Sequence, residues 1–355
     1  MLKLVLQKTT YAFLTVFGVI TVIFFLFNVL PGDPAQMMLG QNETQEQLQQ
    51  QKEKYGFDKS IGQQYLYYVN DLSPVSWHSS DINDFTYFEK KKYDGIQLIP
   101  LLDGSLCIKT PYLRTSFQRQ DQKVLDIIKQ TLPNTAVLAV SSILIALFIG
   151  IVLGIISALQ KDTWIDKSIQ VLSTLGMSLP SFFSAILAAW LFGFVLKEYT
   201  GLNMTGNLYE LDDFGEKEVF HFKNLILPAV VLGIRPLAVV VQLMRSSLLE
   251  VFQQDYIRTA RAKGLNSYSV IMNHSLKNAL NPVVTAISGW FASMLAGAVF
   301  VEYIFGWNGL GKEIVDALNT LDLPIIMGAV LTIAILFIII NIVVDIIYKL
   351  LDPRI

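Results

Sequence analysis

Apolar residues gather along this chain in long blocks. Six stretches free or almost free of charge lie near 11–30, 135–159, 168–196, 225–244, 283–301 and 324–348. A helix of about 20 apolar residues crosses the hydrocarbon core of a bilayer, so the pattern predicts an all-α polytopic membrane protein of about six transmembrane helices. The third block holds Gly176 and Pro180, where an embedded helix bends or splits if neighbours satisfy the freed carbonyl. The first block, Tyr11–Leu30, follows Lys3 and Lys8 as the apolar core of a leader would. It is long enough to span and runs into Leu30-Pro31-Gly32-Asp33-Pro34 with no small-x-small site, so it reads as a retained helix.

The polar segments between the blocks orient them. Residues 245–282 carry Arg245, Arg258, Arg261, Lys263 and Lys277 against Glu250 and Asp255. Residues 199–224 carry Lys217 and Lys223 against Glu210, Asp212, Asp213, Glu216 and Glu218, and 302–323 hold one Lys against four acids. Short loops rich in Lys and Arg stay on the cytoplasmic side. With an even number of spans, the basic N-terminus (Lys3, Lys8) and C-terminus (Lys349, Arg354) fall on that side too, an N-in, C-in arrangement.

This reading places 31–134 outside. Gln41–Gln51 reads as helix, and Ser73–Thr110 mixes turn formers and aromatics with alternating runs such as Ile96–Leu102, the signature of a small, partly β, extracytoplasmic element. The predicted organisation is a first segment and helix over 1–30, an extracytoplasmic loop over 31–134 with an insertion near 72–110, and a five-helix core over 135–355 with a cytoplasmic loop at 245–282. Composition agrees: 53% of residues are hydrophobic and 16% charged, against about 25% charged in soluble domains. A net charge of −2 provides no basic field for nucleic acid. The single cysteine, Cys107, excludes an intramolecular disulfide, and His78, His221 and His274 are too scattered for a His-rich metal site.

Several features invite chemistry. Ala146, Gly150, Gly154 and Ala158 recur every four residues in the second span, a stripe that lets two helices of one bundle approach closely; Gly289, Ser293 and Gly297 in the fifth suit a helix contact, a subunit interface or a cavity wall equally. Gly306-Trp307-Asn308-Gly309-Leu310-Gly311-Lys312-Glu313 nearly spells a P-loop, but Glu313 replaces the Mg-binding hydroxyl and the segment lies between two spans. It reads instead as a Gly-rich turn with Trp307 near the membrane interface, so no nucleotide site, ATP or Mg is assigned to this chain. Arg235, inside the fourth span beside Pro236, is a candidate for the translocation pathway or for a structural ion pair. Glu302 and Asp345 sit near membrane interfaces, Asp212 and Asp213 read as solvated acids, and no catalytic constellation emerges.

The loop Arg245–Pro282 is the most informative stretch. Asp255 can cap a short helix, Tyr256–Lys263, that Gly264 stops, with Arg258, Arg261 and Lys263 alternating with Thr259, Ala260 and Ala262. Charge alone fits an ordinary cytoplasmic loop or a docking surface. The run from Tyr256 to Leu265, with His274-Ser275-Leu276-Lys277-Asn278-Ala279 and Pro282, resembles the coupling loop of ABC-transporter permeases, most closely the dipeptide/oligopeptide (peptide/nickel) binding-protein-dependent importers. Leu30–Ala35, Thr131–Thr135, Leu225–Pro228, Phe305–Gly311 and Leu351–Arg354 match in the same order. Only Ala260 and Gly264 remain of the general Glu-Ala-Ala…Gly pattern. The resemblance implies a multi-pass bacterial inner-membrane transport subunit that is not itself an enzyme. Its partners would be a second homologous permease, two cytoplasmic ATPases that bind ATP and Mg, and an extracytoplasmic solute-binding protein, with lipid around it. It further implies that Asp255, Tyr256, Arg258, Thr259, Ala260, Arg261, Ala262, Lys263 and Gly264 form the ATPase-coupling segment. Ala260 and Gly264 would be steric requirements there, and the basic residues would tune docking or meet anionic lipid. A polytopic membrane enzyme or an ion-coupled carrier are the competing classes; the first needs a buried acid–base or metal cluster, the second intramembrane carboxylates.

Overall fold

The computed structural model describes residues 2–29, 35–36, 44–82, 84–212 and 214–351. The motifs at 30–34 and 352–354, and Asp213, lie outside them. Helices dominate, since hydrocarbon leaves a backbone no other partner than itself. Those of seven residues or more are, in chain order, α1 (Leu2–Val29), α2 (Gln45–Tyr55), α3 (Ile61–Leu72), α4 (Val124–Leu159), α5 (Trp164–Ser178), α6 (Ser181–Trp190), α7 (Lys223–Val251), α8 (Asp255–Ala262), α9 (Asn281–Gly297), α10 (Val299–Phe305), α11 (Leu310–Asn319) and α12 (Leu323–Leu351). Strands β1 (Val75–Ser79), β2 (Gly95–Leu101) and β3 (Gly104–Lys109) form one sheet, and β4 (Tyr209–Leu211) and β5 (Glu218–Phe220) a hairpin.

Four described helices, α1, α4, α7 and α12, are long and apolar enough to cross a membrane, or five if the bent pair α5 and α6 counts as one crossing. The pair turns by 107°. Pro180 forces its predecessor out of the helical region, and Leu179 accordingly sits at φ −77°, ψ 135°. The break expected between Gly176 and Pro180 is therefore at its C-terminal edge. The predicted fifth span, 283–301, differs from its expectation. It is divided between the 17 residues of α9 and the 7 of α10, neither of spanning length alone.

The chain forms two compact units. The first comprises Met1–Gln130 with Glu313–Ile335. Its helix α2 starts at Gln45 rather than Gln41 because Thr44 and Gln47 close a capping box. The helix α3, masked in the sequence by its polar face, begins at a second such box, Ser60 with Gln63. It lays Tyr65, Tyr68 and Leu72 against Ile23 and Phe24 of α1 and Met327 and Leu331 of α12. The sheet that follows is antiparallel in the order β1-β3-β2. Ser76, His78 and Cys107 point to its buried side, where Phe88 and Tyr93 cover Cys107, while Val75, Trp77, Ile96, Ile99 and Ile108 occupy the open side. The alternation expected over Ile96–Leu102 does not translate into alternating burial. The strand β2 is an edge strand whose register shifts between Gln97 and Ile99, and every residue of it is exposed. Buried Asp71 pins this layer, accepting from Tyr93 Oη at 2.8 Å and Arg114 Nε at 3.2 Å while its backbone carbonyl accepts from Lys109 Nζ.

The second unit comprises Thr131–Lys312 with Leu336–Ile355. Its core surrounds α7, which packs on α4, α5, α6 and α9. The stripe on α4 is an internal packing seam: a Cβ on Gly150 would lie 2.7 Å from Val240 Cγ1, and one on Gly154 2.6 Å from Met244 Cβ. The reciprocal Gly233 of α7 rides on the Ser142 carbonyl, 2.8 Å from where its Cβ would be. Backbones approach this closely only through small residues.

Candidate functional site

Helix α8 follows α7 after a three-residue hydrogen-bonded turn, with Gln254 as its N-cap. Asp255 is the first helical residue rather than the cap. Its carbonyl accepts from Thr259 Oγ1 at 2.9 Å, and its carboxylate lies 3.6 Å from Arg258. The C-terminus closes in a Schellman turn: Leu265 N–H donates to Ala260 O and Gly264 N–H to Arg261 O, with Gly264 at φ +78°. The stop expected at Gly264 is therefore left-handed, and no atom lies within 4 Å of where its Cβ would be.

The two faces of α8 differ sharply. Ile257 (0% exposed) and Ala260 (6%) are buried in the core of this chain, beside Leu248, Val251 and Val270. Ala260 thus serves a close internal fit, and Ile257, which sequence reasoning passed over, is the anchor. Asp255, Tyr256, Arg258, Thr259, Arg261, Ala262 and Lys263 are exposed on the other face. Arg261 stacks over Phe252 at 5.6 Å, and Tyr256 Oη accepts from Asn278 Nδ2 at 2.8 Å. The outcome is a firmly seated helix presenting a basic outer surface. His274 is exposed as well.

Arg235 lies on α7 opposite the α5–α6 break. Its Nη2 donates at 3.4 Å to the carbonyl of Leu179, the C-cap at the negative end of α5. Among the described residues it has no carboxylate partner. It lines a small cleft with Ser181, Ser184, Trp290 and Ser293. Ser293 belongs to the fifth-span small-residue series, and the neighbouring Gly289 has open space where a Cβ would be.

The glycine-rich turn after α10 is built around a carboxylate. Buried Glu302 accepts from the N–H groups of Gly311 (2.7 Å) and Lys312 (3.2 Å) through Oε2. Those are the N-terminal amides of α11, to which negative charge is drawn. The backbone donors that a phosphate would need are engaged by a side chain of the same protein. Trp307 is 1% exposed and donates from Nε1 to Asn134 O at 3.1 Å. Asn134 returns a bond to Asn308 O at 2.8 Å, Leu310 N–H donates to Thr135 Oγ1 at 2.8 Å, and Asn308 N–H to Asn207 Oδ1 at 2.5 Å. Two matching motifs, Thr131–Thr135 and Phe305–Gly311, therefore meet with Asn207 in one hydrogen-bonded knot. Among the described residues, no group of three or more His, Cys, Asp or Glu is placed to hold a metal ion.

One pair escaped sequence reasoning. Asp166, at the start of α5, takes a bidentate bond from Arg245 of α7, with Nε at 2.7 Å and Nη2 at 2.6 Å. The available signal was two opposite charges bordering consecutive apolar blocks on the same predicted side.

Residues 150–355 match the family model described as "Binding-protein-dependent transport system inner membrane component", and residues 1–79 match its N-terminal companion, "Binding-prot-dependent transport system membrane comp, N-term". The di/tripeptide transport system permease protein DppB of Pseudomonas aeruginosa (strain UCBPP-PA14) is 32% identical, covering 100% of this chain and 99% of the relative. The dipeptide transport system permease protein DppB of Alkalihalophilus pseudofirmus is 31% identical over 95% of this chain and 94% of its own length. A solved amino acid ABC transporter is 16% identical over 65% of this chain and 95% of that one, with a TM-score of 0.43. The chain belongs to the inner-membrane components of binding-protein-dependent transport systems, the permease subunits of ABC importers.

Proposed function

We propose that this permease carries peptides, forms half of a translocation pathway with a second homologous permease, and is driven through α8 by one of two cytoplasmic ATPases. The observation that carries the coupling reading is the two-faced construction of α8. Ile257 and Ala260 fasten it to the transmembrane core, so a force on its outer residues is delivered to α7 rather than dissipated in a loose loop. ATP and Mg belong to the partner subunits, and an extracytoplasmic solute-binding protein delivers the substrate. The peptide assignment rests on what the two relatives are named for.

In this reading the chain crosses the bacterial inner membrane six times, N-in and C-in, with α9 and α10 together as the fifth crossing. Residues 31–134 lie outside, with the sheet as an insertion near 72–110, and 135–355 form the core with the loop 245–282 in the cytoplasm. Arg235 faces the pathway, where its charge draws the C-terminal carboxylate of a peptide. The enzyme and ion-coupled alternatives have no observation in their favour.

The test is reconstitution of the complete transporter. ATPase chains are expected to co-purify with this chain, and uptake of labelled di- or tripeptides to require ATP. Reversing the outer face with Arg258→Glu and Arg261→Glu is expected to abolish uptake. Unimpaired ATP-driven uptake in that double variant would exclude α8 as the docking element, and unimpaired uptake in Arg235→Gln would exclude the pathway role of Arg235.

A further inference from the structure

Helix α7 holds α5 at both ends. At the root, Arg245 grips Asp166 with two bonds of 2.7 and 2.6 Å. Asp166 is 2% exposed and is also bonded by Ser157 Oγ of α4 at 2.5 Å and by the Asp162 N–H at 2.9 Å, while Gln170 of α5 donates to the same Ser157 hydroxyl at 3.0 Å. Three helices thus share one buried carboxylate. A planar guanidinium engaged through both nitrogens fixes orientation as well as distance. At the far end, Arg235 holds the Leu179 carbonyl, and a Cβ on Gly176 would come within 2.7 Å of Ile234 Cγ2. From Asp166 to Leu179 the helix covers about 20 Å at 1.5 Å per residue. At its other end α7 passes through the turn 252–254 into α8, whose Ile257 is sealed in the core.

We propose that the Asp166–Arg245 pair is a positioning clamp that makes α5 move as one body with α7 and α8, so that a displacement of α8 reaches the break at Leu179–Pro180. The inference rests on α8 being the element an ATPase moves. The pair touches no substrate; it acts by keeping α5 from sliding on α7. A hydrophobic contact would hold the helices together and still permit rotation or slip, whereas the bidentate bond and the Ser157 contact do not. Removing one partner leaves a buried charge uncompensated and endangers folding, so exchanged charges are the more telling variants.

The experiment uses the full transporter in lipid nanodiscs, with uptake and ATP hydrolysis measured on the same preparation. Asp166→Asn and Arg245→Gln are expected to lower peptide uptake per ATP hydrolysed while hydrolysis continues, a ratio that simple loss of folded protein does not change. The exchanged pair Asp166→Arg with Arg245→Asp is expected to recover part of that ratio. Spin labels on Lys167→Cys and Gln253→Cys, at exposed positions on α5 and beside α8, are expected to give one distance distribution in nucleotide-free and ATP-trapped states of the intact clamp. In Asp166→Asn the distribution should broaden. An intact clamp whose distance shifts with ATP, or an Asp166→Asn protein with a normal ratio, overturns the proposal. Failure of the docking reading is seen separately, as absence of a cross-link between Ala262→Cys and the ATPase.

Discussion

Gly264 and His78 show how single residues set terms for the rest. At φ +78° with empty space around the missing side chain, Gly264 is constrained by its own backbone and not by a neighbour. A β-branched residue there costs about 1–2 kcal/mol in the left-handed region, while Asn adopts it more readily. Gly264→Val is therefore expected to loosen the end of α8 and reduce uptake per ATP hydrolysed, and Gly264→Asn to retain most of it. Equal behaviour of the two would remove the backbone argument. His78 sits in the sheet with Nδ1–H donating to Thr86 O at 2.8 Å, which leaves Nε2 to accept from Ser76 Oγ at 2.9 Å. Burial holds its imidazole below the ordinary value of 6.5, outweighing the Thr86 bond. Below about pH 6.5 the unfolded chain gains a proton that the folded sheet resists, so stability present above that pH is lost as it falls. Hydrogen exchange in β1 and β3, corrected for intrinsic rates, is expected to rise between pH 7.5 and 5.5 in the parent protein. His78→Gln should flatten that dependence.

At the level of elements, the helical seam is where prediction and structure meet most directly. The spacing of Gly150 and Gly154 marked the face of α4 because small residues four apart share one side of a helix and let a neighbour approach closely, and α7 fills that side with Val240 and Met244. Adding bulk to a packed interior costs about 1–3 kcal/mol. Gly154→Leu is expected to lower the melting temperature of the purified subunit, and Gly289→Ala, with open space around it, to leave it unchanged; the reverse order would invalidate the seam. The apolar blocks and the Pro180 break were legible for a similar reason, since each follows from local chemistry. What was not legible depended on contacts distant in sequence. Ala260 stood out only through its family resemblance and Ile257 not at all, because the core that buries both is built from residues distant in sequence. The hydrogen-bond partner of Trp307, Asn134, lies 173 positions away, and Asp166 found its partner 79 positions away. The helix α3 was hidden because its burial depends on α1 and α12 together.

For the molecule as a whole, the family assignment and the geometry answer different questions. Matches across nearly the full length say that the chain is a permease subunit; the knot around Glu302 and the seated α8 say which parts are tied into its core. The chain's one thiol has a practical consequence of its own. Cys107 is wholly enclosed between β3 and the rings of Phe88 and Tyr93, so the native protein offers a maleimide almost no target while it stays folded. Sidedness can then be mapped with introduced cysteines on an otherwise silent background. Leu102, 94% exposed at the tip of the β2–β3 hairpin, suits an outer reporter, and Ala262 an inner one. In intact spheroplasts a membrane-impermeant maleimide should modify Leu102→Cys at once and Ala262→Cys only after permeabilisation. Labelling in the opposite order would invert the proposed topology.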